Sequence, residues 1–557
     1  MPTSQAATTV DLICLDPSEP IEWPLGRVWR TARGVAELSG CLEGMLRQTA
    51  ADAVLFWDPA LGAPDSARIL EALGRPGDLW HAGLRLGQGG RPALIDFVHP
   101  TWMLNCDPSP EIEATSWRLS LRACLIRTAV LRRLGGPSSR FRSLDGAALE
   151  LGHRCVTRGA LPRHLPWLLP ADVDREGERL PVDDELRFIS YRMGRRWAAW
   201  ALGRAILSGK LSIPEASRAW RRVRRESRPS APPPYRALDG DDLPATGEAR
   251  VSVLIPSLDR YPHLFDLLDQ LRQQTVPPCE ILVVDQTSVE RRQEIPDRIL
   301  AGQPIRVLYR DQPGQCTARN AGIRIARGDF ILFLDDDEAV EPDLIARHLA
   351  SLARFQAEVS SGVAEEVGAG PLPDHFRWLR LSDVFPTGNT LIHKSVLRGS
   401  GLFDLAYDRG ARADGDLGMR VYLSGALMIL NPAISVLHFH APRGGLRRHR
   451  ARSVTYASSR RRLLHRQVPS PTEIYLARRY FTPRQVREML WLSAAGTLKS
   501  HRGTLHQLAK LIVGALLLPD TVRRIRKSCR TAEAMLCDYP QIEGFEASPN
   551  PPCTSCT

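Results

Sequence analysis

The feature that most restricts the fold is a short apolar run, Ile331 to Leu334, that ends in three consecutive carboxylates, Asp335, Asp336 and Asp337. Four apolar residues in a row suit a strand covered on both faces, as in the middle of a parallel sheet. Acids at the carboxyl end of such a strand lie where open α/β sheets bind their ligands. Side chains two apart on an extended segment point the same way, so Asp335 and Asp337 are expected to converge. Converging carboxylates repel, and a hard divalent cation relieves that repulsion while leaving positions for phosphate oxygens. The competing reading is capping of a helix that opens near Pro342 and Asp343, for which one acid suffices.

The flanking sequence supplies the rest of such a sheet. Val251 to Ile255 is an apolar, β-branched run stopped by Pro256. An amphipathic helix, His263 to Gln273, and a second apolar run, Ile281 to Val284, ending at Asp285, complete a βαβ unit. Ile305 to Tyr309 reads as a further strand, and Thr317 to Ala326 as the helix before the aspartates. A helix follows to about Phe355, then a looser region to Pro386, and Ala433 to Leu437 is a final short strand leading to His438 and His440. Neither GxGxxG after the first strand nor GxxxxGK[ST] is present, so a nucleotide here must be held without a dinucleotide fingerprint or a P-loop.

The ordered series IPSLDR, VVDQTS, GQCTARNAGIRIARGDFILFLDDDE, TGNTLI and DGDLGMRVYLSG, followed by a strand leading to His, resembles the family 2 glycosyltransferases of GT-A fold. The resemblance covers Val251 to His440 and implies a Rossmann-like, mostly parallel α/β sheet and a nucleoside-diphosphate sugar donor. It implies nucleotide contacts from Pro256, Ser257, Arg260, Asp285, Arg319, Asn320, Asp335, Asp336 and Asn389. It also implies a divalent metal, Mg or Mn, at Asp335 and Asp337, with His438 or His440 as ligand or as packed residue. Asp414 matches the family's catalytic base, which takes a proton from an acceptor hydroxyl on a glycan, a lipid-linked sugar or another molecule. The family has an acid immediately before that base, where this chain has Ala413. Asp414 is therefore also readable as a helix cap, with Asp416 in another role. Arg420 fits a position near donor or acceptor, or an ion pair. A non-catalytic sugar-nucleotide or glycan-binding scaffold is the alternative to an enzyme.

The 557 residues carry 74 Lys+Arg against 62 Asp+Glu, a net charge of +12 that suits anionic ligands, anionic lipid or plain solubility alike. Eleven scattered cysteines in a chain this long read as reduced thiols, and a cytoplasmic setting is expected. The terminal pair Cys553 and Cys556 is at best a weak metal or redox site. Arg228 to Thr246 concentrates Pro, Asp and Gly and reads as a linker. The expected divisions are residues 1–227, linker 228–248, catalytic domain 249–442, a basic helical region 443–545 and a tail 546–557. Arg443 to Arg466 holds nine Arg and no acid, but Tyr456 is its sole aromatic, which argues against nucleic acid. Leu511 to Leu518, flanked by Lys510, Arg523, Arg524, Arg526 and Lys527, suits either peripheral contact with the inner membrane face or a buried helix with a basic end.

An internal repeat extends the reading to the first half of the chain. Cys124 to Gly136 parallels Thr390 to Leu402, and Leu149 to Ala160 parallels Gly415 to Ala426, both 266 residues apart, while Ile189 to Arg196 parallels Val454 to Arg461 at 265. A truncated copy of the same fold is expected there, with Ala53 to Trp57 in the place of the aspartate strand. On that alignment Asp58 matches Asp335, Pro59 and Ala60 replace the other two aspartates, and Ala148 replaces Asp414. Val10 to Leu15 reads as a strand, Ala36 to Met45 as a helix, Leu119 to Leu134 as a helix or a strand–helix pair, and Asp184 to Leu207 as one helix. An unrelated α/β domain with local similarity is the rival.

Overall fold

The computed structural model describes residues 8–82, 106–170, 180–236 and 249–545, the last stretch without residues 303, 369, 440, 442–462, 465, 467 and 501. Within these residues the chain is α/β throughout and builds two sheets. The first has seven strands, β1 (Val10–Cys14), β2 (Val28–Arg30), β3 (Ala53–Trp57), β4 (Leu79–His81), β5 (Ala114–Thr115), β6 (Ala123–Arg127) and β7 (Pro162–His164), in the order β2-β1-β3-β6-β4-β7-β5. The second has nine strands: β8 (Val251–Ser257), β9 (Glu280–Asp285), β10 (Ile305–Tyr309), β11 (Phe330–Phe333), β12 (Glu338–Val340), β13 (Val359–Glu366), β14 (Arg380–Leu381), β15 (Thr390–His393) and β16 (Met428–His438). Its order is β10-β9-β8-β11-β15-β13-β16-β12, with β14 paired to β16. The apolar runs β1, VDLIC, and β3, AVLFW, are buried at every residue, as central strands covered on both faces must be.

The two sheets match strand for strand over most of their width. β1 runs parallel to β3 with Val10 opposite Ala53, and β8 runs parallel to β11 with Val251 opposite Phe330. β3 is antiparallel to β6 with Ala53 opposite Arg127, and β11 is antiparallel to β15 with Phe330 opposite His393. β4 is antiparallel to β6 and parallel to β7, as β13 is antiparallel to β15 and parallel to β16. The pairing of β5 with β7 corresponds to that of β14 with β16. The first sheet has one strand, β2, beyond β1, whereas the second has both β9 and β10 beyond β8. Helix α1 (Leu144–Thr157) and helix α3 (Ala413–Leu423) also correspond, and α2 (Gln315–Ile325) leads into β11.

The helices α1 and α3 repeat one polar arrangement. Arg154 pairs with Glu150 and donates to the carbonyl of Leu134, and Arg420 pairs with Asp416 and donates to the carbonyl of Ser400. The modules share a single apolar core in which Trp117, Leu149 and Phe188 from the first meet Leu381, Met419 and Tyr422 from the second. Burying side chains of this size stabilises by roughly 1.5–3 kcal/mol each, so the interface is part of the folded unit. The contact is reciprocal: α1 packs on β14, and α3 packs on β5.

Several expectations change. The segment Asp184 to Leu207 is two helices, Val182–Arg192 and Arg195–Leu207, broken at Met193 and Gly194. Of the two readings of Leu119 to Leu134 the structure has the strand–helix pair, β6 followed by Thr128–Leu134. The region before Pro386 holds β13 and β14, and the last strand starts at Met428 rather than Ala433. Residues 237–248 of the linker, His440, most of the arginine run, the Val454 to Arg461 repeat and the terminal cysteines lie outside the described residues. Arg236, just before that gap, is tied to Asp78 of the first module.

Candidate functional site

From β8 the chain adds β9 and β10 on one side, then returns to place β11 on the other. The carboxyl ends of β8 and β11 therefore border a topological switch point, where the two connections diverge and leave a crevice. Asp285 ends β9 opposite Ser257. Its carboxylate accepts from the Tyr261 hydroxyl at 2.6 Å and from the backbone N–H of Thr287 at 2.9 Å. Pro256 lies in β8 beyond Leu254, the last residue paired to β11, so its missing N–H costs that ladder nothing.

Asp336 stitches the two sides of the crevice together. Its carboxylate accepts from the Ser257 hydroxyl at 2.8 Å, from the N–H of Leu258 at 3.3 Å and from Arg260 at 2.8 Å. Burial pushes its pKa up to about 6 in spite of the guanidinium. Arg260 also lies 2.9 Å from Asp337. At Asp337 burial works upward too, but His438, whose Nε2 is 3.4 Å away, and Arg260 outweigh it and hold the carboxyl down at about 2. The same contact raises the His438 imidazole against its own burial. Asp335, partly exposed, takes Arg319 at 2.8 Å, and its N–H donates to the buried Glu338 at 2.9 Å.

The expected convergence of Asp335 and Asp337 is not what the structure has. The strand stops at Phe333 and the chain turns at Asp336 and Asp337, so period-two alternation ends before the acids begin. Asp336 and Asp337 share Arg260, while Asp335 turns toward Arg319. Among the described residues no three His, Cys, Asp or Glu side chains form a ready-made metal cluster. Asp337 and His438 nevertheless make an adjacent carboxylate–imidazole pair, a donor set that suits Mn²⁺ and related divalent ions.

Two residues predicted at the donor are committed elsewhere. The Asn320 side chain exchanges hydrogen bonds with the backbone of Phe403, at 2.8 and 2.9 Å. Asn389 is fully buried, with its amide oxygen facing His348 and its amide nitrogen donating to the carbonyls of Val363 and Ile434. Both hold backbone in place behind the crevice. Asp408 was not legible as a site residue: it accepts from the N–H groups of Cys316 and Thr317, each at 2.8 Å, and so caps α2 from 92 positions away. Tyr261, Glu338 and Thr387, which also contacts Arg319, were missed for the same reason.

Asp414 stands exposed in the first turn of α3, and among the described residues no hydrogen bond or ion pair occupies its carboxylate. Asp416, two positions on, is fully buried between Arg420 and the Tyr480 hydroxyl. The equivalent Glu150–Arg154 pair occurs in a module that has Ala148 in place of Asp414. The Asp416–Arg420 pair is therefore a feature of the fold, and of the two acids Asp414 is the one left free for chemistry.

Residues 252–406, which contain the crevice, match the family described as Glycosyl transferase family 2. This segment is a family 2 glycosyltransferase domain. The glycosyltransferase domain is 34% identical over 110 residues to the uncharacterized glycosyltransferase EpsJ of Bacillus subtilis, a match that spans 20% of this chain and 32% of EpsJ. It is 28% identical over 114 residues to the glycosyltransferase GlyG of Streptococcus pneumoniae, spanning 20% of this chain and 38% of GlyG. The matches thus span well under half of those relatives. Among solved structures, S. aureus TarS 1-349 aligns with a TM-score of 0.32 and 16% identity over 46% of this chain and 68% of that one. The mannosyltransferase PcManGT from Pyrobaculum calidifontis, in complex with GDP-Man and Mn²⁺, aligns with a TM-score of 0.35 and 20% identity over 61% and 97%.

Proposed function

We propose that the chain transfers a sugar from a nucleoside-diphosphate sugar to a hydroxyl on a glycan or lipid-linked acceptor. The observation that carries this reading is the crevice at the β8/β11 switch point, bordered by Asp285, Ser257, Arg260 and Asp335 to Asp337, in a segment of glycosyltransferase family 2. Asp285 meets the nucleoside, a role supported by its position as a buried carboxylate at a strand end. Arg260 and Arg319 bring positive charge to the diphosphate side. Asp337 and His438 would hold a divalent Mg or Mn ion, which would stabilise charge on the leaving diphosphate. Asp414 acts as general base: it accepts the proton of the acceptor hydroxyl while that oxygen bonds to the anomeric carbon and the diphosphate leaves with the electron pair of the broken bond. Direct displacement of this kind inverts the anomeric centre.

The first module reads best as a degenerate copy of the second. Supporting this are the shared strand registers, the repeated acid–Arg pair and the reciprocal packing of α1 and α3. With Asp58 held by Arg33 and Arg122 and no counterpart of Asp337 or Asp414, the copy keeps the shape and not the chemistry. Its contribution is to hold α3, the helix that carries Asp414, from the far side. The proposal is tested by a thermal-shift screen of the full chain against UDP, GDP and dTDP sugars with Mn²⁺ or Mg²⁺, followed by donor-hydrolysis assays. A metal-dependent shift and turnover with one donor class are expected; absence of both across the screen would overturn it.

A further inference from the structure

The C-terminal helices α4 (Pro471–Tyr480), α5 (Pro483–Gly496), α6 (Thr504–Leu516) and α7 (Leu518–Asp538) follow the second module. α6 is oriented against the usual rule for a helix in a water-soluble protein. Its apolar residues Leu505, Leu508, Leu511, Ile512 and Leu516 face outward, Leu505 at 84% and Leu516 at 76% exposure. Lys510 faces inward and is 1% exposed, and Gly514 is buried beside it against Leu498. Leu505, Leu508, Ile512 and Leu516 recur every three or four positions, with Leu511 beside them, and so form one continuous stripe. An apolar stripe turned to water costs free energy, and a surface that takes up the stripe removes that cost.

We infer that the α6 stripe seats on the surface of an anionic lipid bilayer. Charge selects this occupant. From Met489 to Pro519 the chain has no acidic residue, and Arg502 stands just before α6. Beyond α6 the chain bends by 65° into α7, whose first turns expose Arg523, Arg524, Arg526 and Lys527. Basic residues at the end of an apolar stripe suit headgroup phosphates with acyl chains beneath. A second copy of the chain would bring another net charge of +12 to the same place, which opposes self-association. Trp491, exposed on α5, is the residue type favoured at the headgroup level. No single described helix is long and apolar enough to cross the membrane; α6 and α7 reach that length and apolarity only as a pair bent by 65°.

The test is flotation of the full chain with vesicles of phosphatidylcholine alone and with about 30% phosphatidylglycerol added, in low salt and in roughly 0.5 M NaCl. Partitioning onto the anionic vesicles is expected, with weaker binding in high salt. A Leu508→Glu/Ile512→Glu variant should lose it by roughly tenfold or more, and Arg526→Glu/Lys527→Glu by less. Both pairs are solvent-exposed, and an unchanged melting temperature verifies folding. Failure to float would overturn the inference. So would a chain of double mass in light scattering whose association, rather than lipid binding, is lost in Leu508→Glu/Ile512→Glu.

Discussion

Gly159 and Gly425 do the same work on the two sides of the contact between the modules. Each follows the matching helix of its module, with φ of +91° and +92°, and each lies against a backbone carbonyl of the other module, Leu379 for Gly159 and Glu113 for Gly425. A Cβ would stand 2.4 Å from the first carbonyl oxygen and 2.2 Å from the second. Both the glycines and the carbonyls they meet are 266 residues apart, as expected of two copies packed about a local two-fold axis. Arg163 adds a contact from the first module by donating to the Gly425 carbonyl through both terminal nitrogens.

Gly159→Ala and Gly425→Ala should each lower stability by about 2–4 kcal/mol, the sum of a left-handed backbone and a backbone clash. Chemical denaturation of the full chain reads this directly. A neutral outcome at both positions would remove the reciprocal contact from the account of how the modules hold together.

The two acids of α3 should separate cleanly. Asp414→Asn is expected to keep its melting temperature and donor binding while losing transfer by about 10² to 10⁴-fold. Asp416→Ala leaves Arg420 buried without its carboxylate and should cost about 3–5 kcal/mol of stability. Glu150→Ala, in the module without the base, should lose stability comparably through Arg154. Wild-type transfer by Asp414→Asn would move the base elsewhere.

Much of the fold was written locally. Runs such as Ile281 to Val284 and Ile331 to Leu334 are apolar because both sheet faces are covered, so period and length sufficed to place them. The likeness of Leu149 to Ala160 and Gly415 to Ala426 was legible because both stretches lie on largely buried helices that are followed by a glycine with positive φ. What was hidden depends on distant partners. Nothing near Asp408 says that it caps a helix through Cys316, 92 residues earlier, and nothing near Asn389 says that His348 will occupy its amide. The three aspartates misled for a different reason: alternation applies only while the chain stays extended, and the turn at Asp336 redistributes them.

Acid should weaken the fold through buried neutral imidazoles. Burial holds His81 at about 3 and His153 and His348 at about 4, below the ordinary 6.5. Once unfolded, the same imidazoles take up protons near 6.5, so the unfolded chain binds more protons and stability falls as pH drops from about 6.5 toward 4. Melting temperatures between pH 7 and pH 4.5 should decline, and His348→Gln should flatten part of that decline. An unchanged slope in His348→Gln would mean that this imidazole is not kept neutral by the fold.

Arg260 and a divalent ion compete for the same carboxylate. The guanidinium lies 2.8 Å from Asp336 and 2.9 Å from Asp337, and so offsets part of the charge of the pair in the protein alone. In Arg260→Met the buried Asp336 loses its guanidinium and Asp337 keeps only His438, and the protein should be destabilised by about 3–5 kcal/mol near neutral pH. Mn²⁺ without nucleotide should recover more of that loss in Arg260→Met than it adds to the wild type, since a ligand that binds the folded state stabilises by about 2.7 kcal/mol at a hundred times its dissociation constant. Asp337→Ala should abolish both the Mn²⁺ effect and metal-dependent donor binding, because His438 then faces no carboxylate at that position. Thermal denaturation of the three proteins with and without Mn²⁺ distinguishes the cases. Equal Mn²⁺ shifts in the wild type and Asp337→Ala would show that the ion, if it binds, does so away from Asp337 and His438.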